Sequence, residues 1–134
     1  MPIKKFVDVA RDWLGIRTHV HAPPEARAKF LLTYGDLLVG TLTVQGGLWQ
    51  FEYSDEFKQS KELRPIIGFR DVDRIYQNKD LWQFFAMRIP SSEQPEVEEI
   101  LRHEHIEEDD AVNLLKRFGG RTIANPFELT LAAQ

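Results

Sequence analysis

The spacing of apolar residues changes along the chain, and each change marks an element. In residues 3–14, Ile3, Phe6, Val7, Ala10, Trp13 and Leu14 recur at helical spacing, with Lys4, Lys5, Asp8, Arg11 and Asp12 on the other side. That pattern predicts an amphipathic helix, with Gly15 as its C-terminal cap. Thr18 to Ala28 contains Pro23-Pro24 and reads as a linker. From Lys29 the period becomes strand-like. Phe30 to Tyr34 is one run, Gly35-Asp36 a tight turn, and Leu37 to Val44 a second run. Strict alternation puts Leu38, Gly40, Leu42 and Val44 on one face of that run, opposite Leu37, Val39, Thr41 and Thr43. Gly46-Gly47 then turns the chain into a third run, where Trp49, Phe51 and Tyr53 share a face. Three strands joined by two glycine turns predict an antiparallel meander with an aromatic side.

Ser54 to Leu63 is polar, with one or two helical turns around Asp55-Glu-Phe-Lys. Pro65 to Phe69 reads as a further short strand and Arg70 to Lys79 as a charged loop. Glu96 to His105 predicts a helix with Val97, Ile100 and Leu101 on its apolar face. Asp109 or Asp110 caps the next helix, whose buried stripe is Ala111, Val112, Leu114, Leu115 and Phe118, and Gly119-Gly120 stops it. Ile123 to Leu131 returns as a strand broken by Pro126, hence at a sheet edge. The expected class is α+β: a small antiparallel sheet, the meander plus one or two more strands, packed with three to four short helices. Residues 1–28 form an appendage and residues 29–134 the main domain.

The most aromatic stretch is Asp80-Leu-Trp-Gln-Phe-Phe-Ala-Met-Arg-Ile-Pro90. Asp80 suits a helix N-terminus, and Pro90 ends the run near Arg88 or Ile89. At roughly 100° per residue, Leu81, Phe84, Phe85 and Arg88 fall on one side and Trp82 on its flank. Trp82 therefore has two readings, a partly buried core aromatic or a hot-spot side chain for a protein partner, because Trp, Tyr and Arg are enriched at interface centres.

Composition narrows the function classes. The chain has 134 residues, 43% hydrophobic and 28% charged, ordinary for one soluble domain. A net charge of −4 gives no reason to expect direct nucleic-acid binding. The absence of cysteine removes disulfides and thiol nucleophiles and fits a cytoplasmic protein. No apolar run approaches the roughly 20 residues of a membrane span. His19 and His21 alternate, as do His103 and His105; His103 and Glu107 have helical ligand spacing, and Asp71 and Asp73 form a DxD. Surface solvation and local ion pairing with Arg70 and Arg74 explain these as well as a metal does. Glu93 to Asp110 is acidic, opposed only by Arg102; it reads as a solvated face or as a patch for a basic partner. No GxGxxG, GKS/T, GxSxG, HRD-like or DFG motif occurs.

From Lys29 onward the order of features resembles the N-terminal subdomain of HipA-type serine/threonine kinases, toxins of bacterial toxin–antitoxin modules. The resemblance is carried by Phe30-Leu-Leu-Thr-Tyr-Gly-Asp-Leu-Leu-Val-Gly-Thr-Leu42, by the glycine turn into Trp49-Gln-Phe-Glu-Tyr53, and by Arg64-Pro65-Ile66. Leu81-Trp-Gln-Phe-Phe-Ala-Met-Arg-Ile-Pro90 and Leu114-Leu-Lys-Arg-Phe-Gly119 complete it. Arg88 departs from an apolar family position, and Gly120-Arg121-Thr-Ile-Ala-Asn-Pro126 is a reduced form of the segment after the last helix.

The resemblance implies a HipS-like antitoxin without catalytic residues or cofactor. Its expected partner is a HipA/HipT-like serine/threonine kinase, with a HipB-like DNA-binding protein possible in the same complex. Partner contact would fall on Trp82, aided by Phe85 and Arg88, with Asp80 beside them. The alternatives are a structural complement subunit that a split kinase requires, or a small metal-dependent enzyme using Asp71, Asp73 or His103.

Overall fold

The computed structural model describes residues 22, 24–122 and 125–132. The expected helix over 3–14 and most of the linker lie outside the described residues. Strands β1 (Arg27–Tyr34), β2 (Leu37–Gln45) and β3 (Leu48–Tyr53) form the meander. Both hairpins close over two residues, Tyr34 pairing with Leu37 and Gln45 with Leu48. Gly46 and Gly47 hold φ of 59° and 77°, the mirror-image turn that matches strand twist. Two short strands complete an antiparallel sheet of order β4-β3-β2-β1-β5, with β4 at Tyr76–Asn78 and β5 at Glu128–Leu131. β5 is an edge strand, and it begins only after Pro126.

Four helices are described: α1 (Asp55–Gln59), α2 (Gln83–Ala86), α3 (Pro95–His103) and α4 (Ala111–Phe118). The class is α+β. Phe30, Leu32, Leu42, Val44, Trp49, Phe51, Tyr53 and Leu129 pair across one face of the sheet. They join Phe57, Leu81, Phe85, Val97, Leu101, Leu114 and Leu115 in a single core. Asp110 caps α4 by accepting from the Asn113 backbone N–H at 3.2 Å.

Three expectations about local structure change. Pro65–Phe69 is a turn, not a strand: Phe69 N–H donates to Ile66 O at 2.8 Å, and Gly68 has φ of 98°. Ile66 and Phe69 are buried three residues apart while Ile67 between them faces solvent, so the apolar run is a loop anchored at both ends. The fourth strand instead lies within the segment read as a charged loop, where Tyr76–Asn78 pairs with β3. The aromatic helix starts later than Asp80. Leu81 lies outside the helix, Trp82 is an extended N-cap without a side-chain bond, and the regular helix covers only Gln83–Ala86. Arg88 N–H to Phe85 O (3.1 Å) and Ile89 N–H to Ala86 O (3.0 Å) carry a tighter turn on to Ile89.

The alternation expected in β2 also breaks. Leu32 pairs with Gly40 and Thr33 with Leu38, so Val39 is an extra residue. This bulge buries Val39 completely, although strict alternation places it opposite Gly40 and Leu42. Gly40 has a packing reason to lack a side chain. A Cβ there would lie 2.6 Å from Glu52 O and 2.8 Å from the Phe51 ring. Gly119, the C-cap of α4, is right-handed with φ of −79°, so the helix stops without the left-handed cap that its glycines suggested.

Candidate partner-binding surface

Phe69 is the hub of the surface around Trp82. The sheet supplies Phe51 and Tyr53, and α2 supplies Phe85; the Phe69 ring is 4.8 Å from Phe51 and 6.1 Å from Phe85. Tyr76 and Trp82 both stand edge-on to Phe69, at 5.0 and 5.2 Å with interplanar angles of 85° and 77°. Edge-to-face contact of this kind adds about 0.5–1.5 kcal/mol per pair beyond burial and fixes ring orientation. Trp82 is half-buried, so one side of its indole is held by Phe69 and Phe85 while the rest stays accessible.

The Tyr53 hydroxyl fixes the hub's backbone. It donates to Phe69 O at 2.6 Å and accepts from Ile66 N–H at 2.8 Å. One phenol therefore closes both ends of the Ile66–Phe69 turn. Burial is the largest influence on its acidity; the bond from Ile66 opposes it and Tyr76 adds to it, and together they push the phenol up to about 12.

The four residues expected at the partner contact do not form one exposed patch. Trp82 is half-buried and Asp80 exposed. Phe85 is completely buried, packed on Phe51, Phe69, Trp82 and Phe84. Arg88 is 4% exposed, the one charged side chain buried among the described residues. Leu81, Phe85 and Arg88 are buried and Phe84 is half-buried, as expected for the inward side, although the regular helix spans only Gln83–Ala86.

Arg88 joins three distant segments. Nη1 donates to Gly119 O at 3.1 Å and Gly120 O at 3.4 Å, and Nη2 donates to Asn125 Oδ1 at 3.2 Å and Phe127 O at 2.7 Å. The cation meets the carbonyl end of α4, where the helix dipole favours positive charge. Burial lowers its pKa, and the nearby Glu128 carboxylate acts the other way. Its Nε finds no acceptor among the described residues. Arg88 ties α2 to the end of α4 and the start of β5, which keeps Phe85, and hence Trp82, in place.

The candidate metal ligands are placed as follows. Asp71 Oδ1 accepts from Asp73 N–H at 3.0 Å in a local turn, and Asp73 lies 3.8 Å from Lys58. His103 is the exposed last residue of α3. His19 and His21 lie outside the described residues. Among the described residues, no three His, Asp or Glu side chains come together as a metal cluster would require.

Sequence comparison decides the family. The HipA N-terminal domain family matches residues 11–124 of the 134. The chain belongs to that family. Its aromatic helix and five-stranded sheet are therefore those of a HipA N-terminal domain, which supports a role associated with HipA-type toxin–antitoxin systems. The match begins inside the segment read as an appendage. No curated protein matches the chain at significant similarity. No helix among the described residues is long and apolar enough to cross a membrane.

Proposed function

We propose that this HipA N-terminal domain protein is an antitoxin that binds and inhibits a HipA/HipT-like serine/threonine kinase by contact alone. The observation that carries the reading is Trp82. It is a large side chain at the rim of the core, oriented by two aromatic rings and left partly accessible, as interface hot spots are. The indole docks on the kinase's small lobe near its ATP-binding loop and holds that loop out of its active arrangement. Kinase chemistry depends on positioning, so a displacement of about 1 Å suffices. Phe85 and Arg88 act from behind, fixing the helix that presents Trp82, and Asp80 borders the contact. A HipB-like DNA-binding protein completes the complex, and its cytoplasmic setting follows from the kinase's own.

Co-purification with a purified HipA-like kinase from the same genome tests the reading. The kinase is expected to be retained by the parent protein and lost with Trp82→Ala. No retention by the parent contradicts it.

A further inference from the structure

The turn before Phe69 presents a second apolar side chain. Ile67 is 87% exposed, more than any other large hydrophobic residue described. Such exposure is ordinary on a mobile loop, but this loop is held. Ile66 is buried on one side of it and Phe69 on the other, Phe69 N–H bonds back to Ile66 O, and the Tyr53 hydroxyl bonds both ends. Gly68 takes the φ of 98° that lets the turn close. Ile67 is thus a pre-positioned knob, which lowers the entropy lost on docking. Ile75 is also half exposed, and it precedes Tyr76, which shares the Phe69 hub with Trp82. Trp82 and Tyr76 pack on the same buried ring, Phe69, which lies two residues after Ile67.

Charge sets the chemistry of what covers them. Across residues 64–80, Arg64, Arg70, Arg74 and Lys79 are all exposed and outnumber Asp71, Asp73 and Asp80. Asp73 lies within ion-pair reach of Lys58, which leaves the stretch more basic still. The rest of the chain is acidic enough for a net charge of −4, and residues 93–110 carry much of that excess. A basic surface with apolar points on an acidic protein fits an acidic partner surface with an apolar socket, and opposite potentials speed and orient docking.

We infer that the Ile67 turn is a second docking point, in which Ile67 enters an apolar socket on the partner kinase and Arg64 and Arg70 meet acidic residues around it. This rests on the kinase-binding reading above, and it adds a contact that orients Trp82.

Titration of the intact protein against the purified kinase, at low and high salt, tests it. The variants are Ile67→Ser, the double Arg64→Glu/Arg70→Glu, and Trp82→Ala as reference. Ile67, Arg64 and Arg70 are exposed, so thermal unfolding of the first two variants should match the parent. Ile67→Ser is expected to weaken binding about tenfold. The double variant should weaken it by a similar factor and flatten its salt dependence. If the parent binds and Trp82→Ala weakens binding, but the other two bind like the parent, the second docking point is overturned and the inhibitor reading stands. If the parent does not bind, both fall. If Arg64→Glu/Arg70→Glu instead abolishes a dimer of the free protein, or its binding to duplex DNA, a different occupant covers this surface and the inference is overturned.

Discussion

Trp82 meets Phe69 edge to face with their ring centroids 5.2 Å apart. Phe69 is enclosed by the core and Trp82 is half open to solvent, so this contact, with the one Trp82 makes to Phe85, carries the core's rigidity to the surface. Everything that holds Phe69 and Phe85 therefore also sets the pose of Trp82.

Arg88 is a fastener, and its loss should be severe. Arg88→Ala removes the side-chain donor to Gly119 O and Phe127 O, and one of the two donors to Gly120 O and Asn125 Oδ1, which also accept from Leu129 N–H and Phe127 N–H. The expected cost is about 3 kcal/mol or more. Arg88→Lys should recover only part, because an ammonium lacks the fork that reaches two groups of acceptors at once. Urea denaturation of the three proteins measures the differences. A loss within about 0.5 kcal/mol for Arg88→Ala, the range of ordinary surface changes, would contradict the fastening role.

Tyr53 gives the fold a defined response to alkali. Its phenol ionises near 10 when exposed and near 12 in the fold, so the folded chain holds the proton more tightly. The associated stability is complete below pH 10 and is lost as pH rises from 10 to about 12. Tyr53→Phe should cost about 1–3 kcal/mol at neutral pH through the two lost bonds. It should also make stability fall less steeply above pH 10. Denaturation midpoints of both proteins across that window decide it; parallel curves would mean that the phenol ionises freely in the fold.

His105 lies just past α3 with φ of 58°, and Ile106 N–H bonds back to Leu101 O at 2.8 Å. This is a left-handed helix cap occupied by a residue that adopts it at a cost. His105→Gly is expected to stabilise the protein by about 0.5–1 kcal/mol. A lower melting temperature would show that the imidazole makes a contact of more value than the strain.

The parts readable from sequence were those governed by near neighbours. Gly46-Gly47 between apolar runs marks a hairpin, and Trp49, Phe51 and Tyr53 alternate onto the buried face without exception. Asp110 before an apolar stripe marks a helix start. What could not be read depends on contacts distant in sequence. Val39 is buried through a bulge that no alternation rule signals. Tyr76–Asn78 is three residues long with only Tyr76 half-buried, so its pattern is that of a polar loop. Ile66 and Phe69 suggested a strand because both are apolar, whereas Gly68 between them makes a turn. Arg88 on an apolar helix face invited an interface role, since its acceptors lie 31 to 39 residues further on. In the candidate site, Trp82 stood out from its residue type and flank position. Phe69, the residue that orients it, gave no signal, because its importance arises only where β3, the turn and α2 meet.

The most direct test of the account is the autophosphorylation rate of the purified HipA-like kinase as this protein is added in increasing amounts. The account predicts a fall towards zero near equimolar addition. It also predicts that Trp82→Ala, folded as judged by thermal unfolding, needs at least about tenfold more protein for the same effect. A rate that is unchanged or rises with the parent protein, or equal inhibition by Trp82→Ala, would contradict it.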